Sequence, residues 1–142
     1  MNIKKGEQMK KLIIAILIMS VLVLPVLADE TSDLCKKIAV ERFPNDYNMQ
    51  TFVYNQQMES QKYMSGDRDE ECKKIAQERF PRDFHMQRFV YNQQVEAYNY
   101  LVECDDDECL KIAESRFPDD FHMQKFVYLQ QVKAKKTMRG EY

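Results

Sequence analysis

The chain has 142 residues, 21 basic against 23 acidic side chains for a formal charge of −2, and 44% hydrophobic residues. That balance offers no basic footprint for nucleic acid. With only three Gly and four Pro amid abundant Phe, Tyr, Ile and Val, it also excludes a disordered or low-complexity chain.

The first element in chain order is a leader. Lys10 and Lys11 precede an unbroken apolar run from Leu12 to Leu24, and Pro25-Val26-Leu27-Ala28 follows, with small residues at the −3 and −1 positions of a cut after Ala28. A basic n-region, an apolar h-region and such a site read as a secretory signal peptide over residues 1–28. Met9 would itself serve as the start of such a peptide. Uncleaved, the same segment would be an anchor and the only point of contact with a membrane. The expected location is therefore outside the cytoplasm, periplasmic or secreted. Without these 28 residues, which hold four lysines and one glutamate, 17 basic and 22 acidic side chains remain, a formal charge of −5.

The rest is a tandem repeat. Cys35 to Gln57 returns at Cys72 to Gln94 and at Cys109 to Gln131, 37 residues apart each time, and 15 of the 23 shared positions are identical in all three copies. A unit of this length is one supersecondary element, too small to bury its own apolar face alone. The predicted organisation is repeat 1 at 32–68, repeat 2 at 69–105 and repeat 3 at 106–142.

Within each copy the pattern predicts two helices. Ser32, Asp69 and Asp106 are N-cap residue types at matching positions, and acidic residues follow in the first turn, where the helix dipole favours them. Apolar groups at 72, 75, 76 and 80 make a helical stripe, which ends at Phe80-Pro81 because the residue before proline is pushed out of the α region. Asp46, Asp83 and Asp120 stand two residues after each proline and can cap a second, longer helix, near 84–102 in the second copy. On a helical wheel, His85, Arg88, Asn92, Glu96 and Asn99 share the arc that varies between copies. Met86, Phe89, Val90, Gln93, Gln94, Ala97 and Leu101 lie opposite, as the expected buried face. The predicted fold is all-α: three αα-hairpins stacked in a short solenoid-like array. In the third copy Lys133, Lys135, Lys136 and Thr137 replace Glu96, Tyr98, Asn99 and Tyr100, the polar outer face a terminal repeat needs.

Candidate chemistry is sparse. Cys35, Cys72 and Cys109 follow acidic residues at a helix start, which argues against an activated thiolate; a small apolar side chain packed there suffices. Equivalent positions on stacked helices lie about 8–10 Å apart, too far for a Cys35–Cys72 bridge. Cys104 has no counterpart in the other copies, and with Cys109 it could close a disulfide. Cys104, Cys109 and His122 would give a metal only three ligands where a structural zinc site wants four, so no metal or other cofactor is implied. Gln56-Gln57, Gln93-Gln94 and Gln130-Gln131 sit in or beside the apolar arc. Buried amides must be hydrogen-bonded, so they read first as groups that satisfy backbone freed at the Phe-Pro turn or at a neighbour's helix end. The other reading is a ladder of amides gripping a peptide or glycan. Arg42, Arg79 and Arg116 with Asp46, Asp83 and Asp120 read as ion pairs locking the turns.

Phe80-Pro81-Arg82-Asp83-Phe84-His85-Met86-Gln87 resembles a helical-hairpin motif found in many uncharacterised bacterial proteins: aromatic, Pro, any residue, Asp, aromatic, any residue, Met, Gln. The resemblance covers about ten residues per copy and implies bacterial origin and a helical hairpin, with no activity attached. The expectation is a binding or structural protein, not an enzyme, with a protein, peptide or glycan partner. The alternative is a thiol- or metal-dependent envelope protein using Cys35, Cys72, Cys104 and Cys109.

Overall fold

The structure, a computed structural model, describes residues 30–140; the segment read as a signal peptide lies outside them. Every regular element among these residues is an α-helix: α1 at 30–42, α2 Tyr47–Met64, α3 Glu70–Arg79, α4 Phe84–Val102, α5 Asp107–Arg116 and α6 Phe121–Arg139. The short and long helices of the second copy thus fall where caps and the Phe-Pro break predict them. No helix among the described residues is long and apolar enough to cross a membrane.

The described residues divide into two compact units, 30–58 and 59–140. In the first, α1 packs Ile38 and Ala39 against Val53 of α2, with Leu34, Phe43 and Tyr54 around them. The expected cap at Ser32 is not there. The helix already runs through residue 30, and the Ser32 hydroxyl instead lies 3.2 Å from the Tyr54 hydroxyl.

In the second unit α3 packs on α4, α4 on α6 and α5 on α6. One cluster joins Met64, at the end of α2, to Cys72, Ile75 and Ala76 of α3 and to Val90 and Tyr91 of α4. A second joins Leu101 of α4 to Cys109 and Ala113 of α5 and to Val127 and Tyr128 of α6. In each, a Met or Leu from the end of one long helix is the knob that fills the angle between the next short and long helices.

The caps are real. Asp69 and Asp106 accept from the backbone N–H of Cys72 and Cys109 at 2.8 and 3.1 Å. Asp83 and Asp120 accept from Met86 and Met123 at 3.1 and 3.2 Å. Each satisfies one of the donors a helix start leaves free. At the other end of the chain, Gly140 closes α6 with φ of 71°, a left-handed conformation that costs glycine nothing.

Three residues depart from the expected pattern of α4. Phe89 is 52% exposed, whereas Tyr91 and Gln87 are buried. The reason is that α4 packs on both α3 and α6. The line through Val90, Gln94, Ala97 and Leu101 faces inward, and Phe89 projects about 100° away from it on the helical wheel.

Lys135 folds back onto the start of α5, 2.9 Å from Asp106 and 3.0 Å from Glu108. The Lys135 ammonium and the Cys109 N–H hold the Asp106 carboxyl down at about 2, against about 3.9 for a free aspartate. A depressed folded-state value contributes stability above the unfolded value and loses it as pH falls through the folded one. Melting temperature is therefore expected to drop between about pH 4 and pH 2. A carboxyl ¹³C titration should place the Asp106 midpoint near the bottom of that window and move it upward in Lys135→Met; an unmoved midpoint would show that the ion pair is not the cause.

Candidate binding face and the network beneath it

The repeated glutamines divide into three roles, and only part of that division is visible in the sequence. Gln50, Gln87 and Gln124, which the residue-by-residue reading passes over except as the last letter of the bacterial motif, each donate an amide hydrogen to the carbonyl of the Phe seven residues earlier, at 2.7 Å in all three cases. That carbonyl stands at the end of the short helix, where proline follows and the helical ladder stops. The signal that could have found them was their fixed spacing from a broken helix end, where an acceptor must be left over.

Gln94 is fully buried and does a different job. Its amide nitrogen donates to Asp120 Oδ1 at 2.8 Å, and its carbonyl oxygen accepts from the His122 N–H at 3.3 Å. It therefore reads the start of α6 from α4. Arg79 reaches the other oxygen of Asp120, so the ion pair crosses from one copy to the next instead of locking a turn within a copy. Burial alone would raise the Asp120 carboxyl, but Gln94, the Met123 N–H and Arg79 together hold it below its ordinary value. Gln57 is equally buried, and no buried side-chain nitrogen or oxygen among the described residues lacks a partner.

The first member of each glutamine pair turns outward. Gln56 and Gln93 are half-buried and Gln130 is exposed. Each lies one helical turn after an exposed phenylalanine: Phe52 at 59% exposure, Phe89 at 52% and Phe126 at 53%. Residues four apart share a helix face, so each long helix presents the same ring and amide to solvent. Nearby cations are already engaged. The Arg88 guanidinium lies 4.5 Å from the Tyr63 ring centre, and Lys125 pairs with Glu96 at 2.9 Å and lies over the Tyr100 ring.

The cysteines are packing groups. Cys35, Cys72 and Cys109 are buried, Cys104 is half-buried, and all four are free thiols. Burial is the largest influence on Cys35, Cys72 and Cys109 and pushes each thiol up, Cys72 to about 12 with help from Asp69. None of the three is an activated thiolate. Cys104 packs against the cluster that contains Cys109 and donates to the Tyr100 carbonyl at 3.3 Å. Burial, followed by the neighbouring Cys104, pushes the Tyr128 phenol up to about 12. His122 is exposed and His85 half-buried, and among the described residues no group of three His, Cys, Asp or Glu side chains could hold a metal ion.

No protein-family model matches the chain, and no curated protein or solved structure matches it significantly.

The three glutamine roles separate in a melt. Gln94→Ala and Gln87→Ala are each expected to destabilise the protein by about 1–3 kcal/mol, because a buried partner is left unpaired. Gln93→Ala should melt close to wild type. Equal losses at Gln93 and Gln94 would refute the assignment. Alkylation of the native protein followed by peptide mapping should modify Cys104 first, with Cys35, Cys72 and Cys109 reacting only on unfolding. Prompt native labelling of Cys72 would contradict the burial described above.

Proposed function

We propose that this is an exported bacterial helical repeat protein of binding type, its three 37-residue hairpins stacked in a short solenoid-like array, without catalysis of its own. The observation that carries the binding reading is the Phe–Gln pair on each long helix. Phe52, Phe89 and Phe126 keep the same residue while the preceding position changes in every copy, Thr51, Arg88 and Lys125, and the position three residues on changes in the third, Asn55, Asn92 and Leu129. Packing does not require it, since each ring is more than half exposed. A large ring left in water with an amide one turn away suits a ligand that offers both an apolar surface and hydrogen-bonding groups, which a peptide, a protein surface or a glycan does.

The stacking reading is supported by the contacts of α4 with α6. Tyr98 meets Phe121 edge-on at 5.2 Å and Tyr100 meets Tyr128 at 6.4 Å. The third copy carries Lys135 and Thr137 at the places of Tyr98 and Tyr100. Burial of the thiols works against the alternative, a thiol- or metal-dependent envelope protein.

The double variant Phe89→Ser/Phe126→Ser tests the binding face. Its melting temperature is expected to stay near that of wild type, because neither ring is buried, while capture of the envelope protein or glycan that binds wild type is lost. Undiminished capture would move the binding site off this face; a collapsed melt would make both rings structural.

A further inference from the structure

We infer that the protein associates with itself head to tail, the end of α6 in one copy seating in the groove between α1 and α2 of another. The template is the packing inside the second unit. There, the groove that includes Leu110, Ala113, Glu114 and Gln124 is closed over by Tyr98, Leu101 and Val102 from the end of α4, and about 170 Å³ of space is left. The first copy has the same groove, with Lys36, Ala39, Val40 and Gln50 at the four matching positions, and its space is larger, about 270 Å³.

Within the open groove Val40 is 49% exposed and stands where the later copies have Gln77 and Glu114, while Lys36 stands where the third copy has Leu110. Val40 and Ala39 together give the groove an apolar floor on which a methionine side chain can seat.

The end of α6 carries the matching parts. Met138 occupies the position of the buried knobs Met64 and Leu101, which are 3% and 9% exposed, yet it is itself 87% exposed. Arg116 stands where Arg79 does and makes no ion pair among the described residues. Gln131 stands where Gln94 does and is half-buried. Their natural acceptor is the residue at the position of Asp120, which in the first copy is Asp46. That carboxylate is exposed and accepts from the Met49 N–H at 3.0 Å, as Asp120 accepts from Met123. The donors on one copy and the acceptor and groove on another thus repeat the Met/Leu knob, the Arg–Asp pair and the Gln–Asp bond already used within the chain. Lys135 and Thr137 remove the two ring contacts, so the association is weaker than its template. A contact of this kind joins two different surfaces and is heterologous.

Sedimentation velocity of the purified protein over a range of concentrations tests this. The expected result is reversible association that Met138→Glu and Arg116→Glu each weaken at least about tenfold, both side chains being exposed so that folding is untouched. Photo-methionine cross-linking of mixed heavy- and light-isotope protein should join Met138 of one copy to the peptide around Val40 of another. A protein that stays monomeric at every concentration overturns the proposal. So does association that both variants leave unchanged, or a cross-link that forms only within one copy, which would instead seat α6 in its own molecule's groove.

Discussion

The hydrogen-bonded knot at Asp120 is the constraint on which the second unit depends. One carboxylate caps α6 through Met123, receives the buried amide of Gln94 and pairs with Arg79. Three helices therefore meet at a single polar group at the edge of an apolar cluster. An amide as buried as Gln94 costs free energy unless it is paired, so the knot acts as a register. If α4 slides by one residue, Gln94 loses both Asp120 and the His122 N–H while Leu101 leaves its seat between Cys109 and Ala113. Apolar packing tolerates many arrangements of helices; the polar pair selects one. Hydrophobic burial supplies the drive and the amide supplies the uniqueness.

The Phe-Pro turn solves a related problem locally. Proline ends the short helix, and the bend leaves a carbonyl without its helical partner. Gln50, Gln87 and Gln124 reach back to that carbonyl from the first turn of the following helix. The Asp between them caps that same helix. Asp and Gln thus hold the two ends of the four-residue connection between the helices. This gives the Pro-x-Asp-aromatic-x-Met-Gln pattern a physical content: each polar letter satisfies one backbone group that the break exposes.

How much of this was legible in the sequence depended on the range of each interaction. Caps and breaks are local, and Asp83, Phe80-Pro81 and the bounds of α3 and α4 could be placed from neighbours a few residues away. The failures lie where tertiary packing decides. Ser32 looks like Asp69 and Asp106 to a pattern of spacing, but α1 extends past it and leaves nothing to cap. Phe89 looks like core because it is large, apolar and repeated; its exposure follows only from knowing which two sides of α4 are covered. The Arg79–Asp120 pair spans 41 residues, and no local argument chooses it over Arg79 with Asp83. The adjacent glutamines Gln93 and Gln94 project about 100° apart on a helix, and only Gln94 is fully buried; which of the two faces α6 is set by tertiary packing and not by spacing.

A repeat joined by asymmetric contacts has a consequence for its ends. Each junction needs a donor side, with Arg, Gln and the knob, and an acceptor side, with the capping Asp and the groove. Within the second unit α3 and α4 give and α5 and α6 receive. A finite row must leave one donor side and one acceptor side unused. Evolution can blunt both, and here it has treated them unequally. Lys133, Lys135 and Thr137 make the donor end more polar and tie part of it to Asp106 and Glu108, yet Met138, Arg116 and Gln131 remain. The acceptor end keeps its groove and gains an exposed apolar residue in Val40. A donor end partly blunted and an acceptor end left open suit the weak, concentration-dependent contact inferred above, and the exposed Phe–Gln pairs lie outside the Arg, Gln, knob and Asp positions that would form it.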